Sequence, residues 1–259
     1  MLRDYAIAAR NFLLGGNFAA LRLLNRPQTA VFYVGECLFI ERLMNSNGDL
    51  PQRLIWEVLG ASLEIPVILR PGAADEWVRG IASWQADLIA LIMLTQVKKP
   101  TTIFEIGTLH GSSALHFALN APQAHVFTLD LPLDHEPVLS ATQVDRHLIG
   151  EAQKRILVFD HLPERNRITC LYGDSANFDF SPFRDLVDLF FIDGAHHYRY
   201  VKNDTQKALE CTKRGGIIAW HDYGRCGVNG VSKWLNEFRA QGNEVQRIPG
   251  GSLAYMVKA

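Results

Sequence analysis

Two stretches of this sequence end in side chains that can do chemistry together. Phe191-Ile192 runs into Asp193, Gly194, Ala195, His196, His197 and Tyr198, and Ala219-Trp220 runs into His221, Asp222 and Tyr223. Asp193, His221 and Asp222 are a candidate ligand set for a divalent metal, with water and substrate oxygens filling the remaining positions. Such an ion lowers the pKa of a hydroxyl bound to it and orients that hydroxyl. His196 is the candidate general base, because imidazole titrates near neutral pH. His197 reads better as a helix cap or a solvent-facing residue. His221 reads equally well as a ligand or as a hydrogen-bonded support behind the ligands. A carboxylate placed as Asp222 is reads as functional.

A second group of candidates binds rather than reacts. Glu105-Ile106-Gly107-Thr108-Leu109-His110-Gly111-Ser112-Ser113 follows an apolar run. Its glycines let the backbone turn tightly and approach a ligand closely. A dinucleotide-binding loop would have glycines at the first, third and sixth positions. Here those positions hold Glu105, Gly107 and His110. A carboxylate in the first place repels a pyrophosphate and suits a cationic ligand. Two more acids fall at the ends of the next apolar runs, Asp130 after Phe127-Thr128-Leu129 and Asp174 after Gly173. The first can take both hydroxyls of a ribose. The second can accept from an adenine amino group, while Ser175 can cap the next helix.

These residues need a scaffold that brings strand ends together. From Thr101 onward, strands over 101–107, 125–131, 168–172, 187–193 and 216–221 alternate with helices over 111–120, 198–213 and 228–241. That alternation predicts an α/β, Rossmann-like, doubly wound sheet. Two short runs around Gly250-Gly251 predict a C-terminal hairpin, giving seven strands, mostly parallel with an antiparallel edge. In such sheets the ligand crevice lies at the C-terminal strand ends, where every candidate above falls. Residues 132–165 form a long polar connection carrying Asp134, His135, Asp145 and His147. A connection of that length is read as an active-site cover. A helix is predicted from Asp75 to about Gln96, with Trp77, Ile81, Trp84, Leu88, Leu91 and Ile92 at helical spacing. The expected division is a helical extension over 1–74 and the sheet domain over 75–259.

Composition narrows the function classes. The 259 residues carry a formal net charge of −1, so no global basic field draws the chain to nucleic acid. Cys37, Cys170, Cys211 and Cys226 have no CxxC spacing and read as reduced thiols of a cytoplasmic protein. No apolar run approaches the roughly 20 residues of a membrane-spanning helix. Near the N-terminus, Leu13, Leu14, Leu21, Leu23 and Leu24 lie among Arg3, Arg10, Arg22 and Arg26, interrupted by Gly15-Gly16. This is expected to pack on its own domain or on a second subunit, as in a homodimer. A weak contact with an anionic membrane surface is the other reading.

At these residues the chain resembles a known group. The run DGAHHYRYVKNDTQKALECTKRGGIIAWHDY, from Asp193 to Tyr223, resembles the methyltransferase family 24-like group, which includes macrolide-sugar O-methyltransferases and proteins labelled cephalosporin hydroxylase. It is more distantly similar to catechol and caffeoyl-CoA O-methyltransferases. The resemblance runs from about Trp84 to the C-terminus and is carried by Glu105–Ser113 and Asp193–Tyr223. It implies a class I methyltransferase dependent on S-adenosylmethionine (SAM), whose ammonium and sulfonium would suit the Glu105 loop. Glu105, Gly107 and Gly111 would line its methionine part, with Thr108 and Ser112 in the same loop. Asp130 would bind ribose, and Asp174 and Ser175 would lie near adenine. Asp193 would touch cofactor and be the first metal ligand. His196 falls where catechol-type enzymes place a catalytic lysine. His221-Asp222 falls on the remaining ligand pair, with an imidazole where many relatives have a carboxylate, so the implied ion is magnesium or another divalent metal. The implied reaction is methylation of a hydroxyl on a sugar or other small natural product. Two other readings stand beside it. One is a metal-dependent oxygenase using His196, His221 and Asp193. The other is a non-catalytic partner in a biosynthetic complex.

Overall fold

The structure, a computed structural model, describes residues 50–53, 57, 65–70, 82–152, 156–225 and 228–259. Helix α1 (Ala82–Lys98) leads into β1 (Thr102–Ile106), α2 (Ser112–Asn120) and β2 (His125–Asp130). Helix α3 (Gln143–Ala152) and a 3-10 turn (Pro163–Arg167) precede β3 (Ile168–Tyr172). Then come β4 (Val187–Ile192), α4 (Tyr198–Cys211), β5 (Thr212–Trp220), α5 (Asn229–Ala240), β6 (Gln246–Arg247) and β7 (Ala254–Val257). The strand order is β3-β2-β1-β4-β5-β7-β6. Strands β1 to β5 pair in parallel, and β7 pairs antiparallel with β5 and with β6. The seven-stranded sheet with an antiparallel C-terminal hairpin is the expected one.

The central strands read as unbroken apolar runs because helices cover both faces. On one face Phe104, Phe190, Ile192 and Trp220 pack against Val201 and Ala208 of α4 and Val231, Trp234 and Leu235 of α5. Phe104 stacks on Phe190 with ring centroids 4.9 Å apart. The indole N–H groups of Trp220 and Trp234 both donate to Thr205 Oγ1, at 3.0 and 2.9 Å, so neither buried ring leaves an unpaired donor. On the other face Ile103, Leu189, Phe191 and Ala219 meet Leu91 and Leu94 of α1 and Leu115 and Phe117 of α2.

One strand differs from expectation. β5 begins at Thr212, directly after α4, and not at Gly216. Val187 pairs with Thr212 and Leu189 with Ile217, so two steps along β4 match five along β5. The intervening residues bulge, and Gly215 takes a left-handed turn at φ 71° within the bulge. Sheet order reverses between β2-β1 and β4-β5, which opens the crevice beside the C-terminal ends of β1 and β4.

The compact unit holding these elements is Leu50–Gly224 with Val228–Ala259. Its first residues already join the sheet edge: the Leu50 N–H donates to Tyr223 Oη at 2.9 Å and the Arg53 N–H to the Arg247 carbonyl at 3.0 Å. The basic, Leu-rich segment expected near the N-terminus lies outside the described residues, as do residues 75–81 of the helix expected from Asp75. Among the described residues, no helix is long and apolar enough to cross a membrane.

Candidate active site

The glycine loop is fixed from three sides. At Gly107, φ is 101° and an added Cβ would sit 2.0 Å from the carbonyl oxygen of Asp193. Two strand ends therefore approach as only glycine permits. At Gly111, φ is 79° and an added Cβ would lie 2.3 Å from the Phe159 ring, which belongs to the long connection. The Val158 N–H donates to the His110 carbonyl at 3.0 Å, so the connection closes back onto the loop. Asp130 holds the third side, accepting from the Leu109 N–H at 3.1 Å and the Leu131 N–H at 2.9 Å.

Glu105 lies fully buried at the centre of this cradle. The Ser113 hydroxyl donates to one of its oxygens, and the Thr128 hydroxyl donates to the other at 2.5 Å. Thr108 and Thr128 share a further contact of 2.7 Å between hydroxyl oxygens. Burial outweighs the two donated hydrogen bonds and pushes the Glu105 carboxyl up to about 8. A cation beside it would favour the ionised form. Ser112 Oγ is a buried hydroxyl without a hydrogen-bond partner among the described residues. A backbone cradle that a Cβ would fill, an orphaned hydroxyl and a buried acid together fit a cofactor that is cationic at one end.

Asp174 is already engaged. Its Oδ2 accepts from the Tyr200 hydroxyl at 2.6 Å and the Val138 N–H at 2.8 Å, and its Oδ1 accepts from the Ala176 N–H at 2.8 Å. No α-helix follows β3, so it is Asp174 that closes the turn there and not Ser175. Ser175 is buried, and its carbonyl accepts from the Asn203 amide at 3.1 Å.

The ends of β4 and β5 bring Asp193, His196, His221 and Asp222 together. Ligating atoms of Asp193, His196 and Asp222 all lie within 4.8 Å of one another. The two carboxylates at that spacing fit a divalent cation, and the imidazole could join them as a ligand only with its Nε2 free of a proton. His221 is placed differently, with both ring nitrogens against carboxylates. Nδ1 is 3.0 Å from Asp193 Oδ1 and 3.3 Å from Asp222 Oδ2, and Nε2 is 3.2 Å from Asp87 Oδ2. In this arrangement it supports the two carboxylates that would hold an ion.

His196 is gripped in the same way. Its Nδ1 is 2.6 Å from Asp145 Oδ1 and its Nε2 is 2.6 Å from Asp222 Oδ2. Burial alone would lower its pKa, but the hydrogen bonds to Asp145 and Asp222 win and raise it to about 10. Burial works the other way on Asp145, and the bond to His196 still brings that acid down to about 2. For His221, burial is overcome by the charges of Asp222 and Asp193, which raise it well above the ordinary imidazole value. Both rings are therefore held between acids that favour their protonated form. Asp222 adopts φ 61°, a left-handed conformation that costs a non-glycine residue on the order of 1–3 kcal/mol. His197 caps α4, its Nδ1 accepting from the Arg199 N–H at 3.3 Å.

Two acids of this group carried no role in the sequence reading. Asp145 comes from the connection over 132–165, and the pattern Thr142-x-x-Asp145 that starts α3 was its available signal. Asp87 is a lone acid among Leu88, Leu91 and Ile92 on the buried side of α1. It accepts from the Ser252 N–H at 2.7 Å, the Ser252 hydroxyl at 2.7 Å and the Leu253 N–H at 3.0 Å. Beside it opens a small cleft lined by Asp87, Leu88, Leu91, Ser113, Phe191, Asp193, His221 and Leu253.

Comparison with known proteins agrees with this geometry. Residues 104–223 match a family described as a methyltransferase domain. No curated protein sequence matches the chain. Among solved structures, a Staphylococcus aureus protein assigned as a candidate caffeoyl-CoA O-methyltransferase is 18% identical, with a TM-score of 0.51 over 85% of this chain and 96% of that one. The Podospora anserina methyltransferase PaMTH1, solved with S-adenosylhomocysteine bound, is 17% identical, with a TM-score of 0.50 over 85% of this chain and 94% of that one. At these identities the likeness is one of fold.

Proposed function

We propose that this chain, whose residues 104–223 match a methyltransferase-domain family, is a SAM-dependent methyltransferase whose acceptor is a hydroxyl of a sugar or other small natural product. The observation that carries this reading is the group Asp193, His196 and Asp222 beside the glycine loop. Methyl transfer to oxygen needs a hydroxyl held in line with the sulfonium and relieved of its proton. Positioning supplies most of the rate in such a reaction.

In this reading the Gly107 cradle, Ser112 and Glu105 hold the methionine end of SAM. Asp130 and the Asp174–Ser175 turn lie toward ribose and adenine. Asp193 and Asp222 would hold a divalent cation, which when bound would polarise the acceptor hydroxyl, while His196 beside them keeps Nε2 for the proton. His196 takes the hydroxyl proton on Nε2. That nitrogen now carries a proton toward Asp222, which must leave first. Positive charge brought against Asp193 and Asp222 favours its loss, because it cancels the field that retains it. The resemblance of Asp193–Tyr223 to macrolide-sugar O-methyltransferases supports a sugar among the acceptor classes.

His196→Gln tests the assignment. Transfer of the methyl group should fall by about 100-fold or more, the usual worth of a positioned base. SAM affinity by calorimetry should stay within about twofold, because His196 lies outside the cofactor loop. An unchanged rate would remove His196 from the chemistry. Turnover that required Fe(II) and oxygen but no SAM would replace the reaction with an oxygenase.

A further inference from the structure

We propose that Asp145 is a positioning residue for His196, delivered by the segment that covers the site. This rests on His196 being the group that takes the proton.

The carboxylate of Asp145 is buried and used at both oxygens. Oδ1 accepts from His196 twice, from Nδ1 at 2.6 Å and from the main-chain N–H at 2.9 Å. Oδ2 accepts from the Thr142 N–H at 2.6 Å, and Thr142 Oγ1 accepts from the Asp145 N–H at 3.1 Å. The second pair is a capping box at the start of α3. One carboxylate therefore nucleates the cover helix and fixes the imidazole.

The consequence is chemical. With Nδ1–H held by a carboxylate, the nitrogen left for proton transfer is Nε2, the one on the side of Asp222. An acid behind a histidine fixes both its tautomer and its orientation. Asp145 reaches that place only when the connection is seated, and that seating has further ties in the Val138 N–H on Asp174 and the Val158 N–H on the His110 carbonyl. The connection that covers the site thus also supplies the acid that orients the base.

Asparagine cannot replace Asp145. Its NH₂ must face either the Thr142 N–H or the two donors of His196. Thr142→Ala disturbs only the cap and serves as the structural control. The experiment uses the full chain with imidazole nitrogens labelled by ¹⁵N and S-adenosylhomocysteine present. Wild type and Thr142→Ala should show His196 protonated on Nδ1, whereas Asp145→Asn and Asp145→Ala should lose that signal. On an acceptor found by labelled transfer, Asp145→Asn should lower kcat by about 10–100-fold, part of the worth of the base itself. KM for SAM should not move, and Thr142→Ala should keep the wild-type kcat. The proposal is overturned if the Asp145 variants keep both the Nδ1 proton and the rate, or if Thr142→Ala loses as much rate as they do. Failure of the reading beneath it shows separately, as a His196→Gln variant with wild-type turnover.

Discussion

Glu105 shows how burial changes the meaning of a residue type. In sequence it is a carboxylate suited to a cation. In the fold its pKa is pushed up to about 8, and the hydroxyls of Ser113 and Thr128 share its two oxygens. Its protonated form is the one the folded chain prefers at neutral pH. The unfolded chain titrates this group near 4.5. Between those values the folded state binds more protons, so the stability from this group is full below 4.5 and is lost as pH rises through about 8. Glu105→Gln should remove that decline, seen as a flatter Tm between pH 5 and about 9. The same substitution should weaken SAM binding, and wild-type binding should release a proton below pH 8, measurable as a buffer-dependent enthalpy. A wild-type Tm with no slope in this range, or binding with no proton release, would show that Glu105 is ionised before the cofactor arrives. The imidazoles teach the complementary lesson. His196 and His221 sit among Asp87, Asp145, Asp193 and Asp222, so apart from Asp222 beside His221 their charge follows from neighbours that lie far away in sequence.

At the scale of elements, strands were legible because both sheet faces are covered and the runs are apolar throughout. Phe104, Phe190 and Trp220 announce such strands without any pairing information. The early start of β5 was not legible, because a bulge depends on which β4 residues Thr212 and Ile217 meet. The opposite end of the sheet is tied by Asp188. Its Oδ2 accepts from the Thr101 N–H and hydroxyl, both at 2.8 Å, and from the Thr102 N–H at 3.0 Å, while Oδ1 pairs with Lys213 at 2.9 Å. Burial pulls this acid upward, but the Lys213 bond and the Thr101 and Thr102 donors bring it down to about 2. Its folded pKa is below its unfolded value of 3.8, so its contribution is full above that pH and is lost as pH falls through about 2. Asp188→Asn should lower stability by roughly 1–3 kcal/mol at pH 7, as for other hydrogen bonds to a charged group. The difference from wild type should shrink toward pH 2 in urea unfolding. A difference constant with pH would mean that packing, not charge, is what the carboxylate supplies.

The unit formed by Leu50–Gly224 and Val228–Ala259 is built around a sheet crevice covered by one long connection. The crevice was legible, since every candidate from Glu105 to Asp222 falls at a C-terminal strand end. That Gly107 meets the carbonyl of Asp193 follows from the β1–β4 pairing, which crosses the sheet reversal. The roles of Asp87 and Asp145 were hidden for a plainer reason. Asp145 is 51 residues from His196, in a connection without periodic signal, and Asp87 is 134 from His221, on a helix whose periodicity marks the helix but not the strand end it meets. In the proposed function this crevice moves a methyl group from SAM to oxygen, with His196 beside the acceptor. The most direct measurement incubates the full chain with SAM carrying a deuterated methyl group and a panel of sugars and phenols, and locates the label in the product by mass spectrometry and NMR. The account predicts a CD₃ group on an acceptor oxygen, formed with one S-adenosylhomocysteine per product and lost in Gly107→Ala, where the new Cβ would strike the Asp193 carbonyl. A label found on carbon or nitrogen, or a Gly107→Ala variant with full activity, would contradict it.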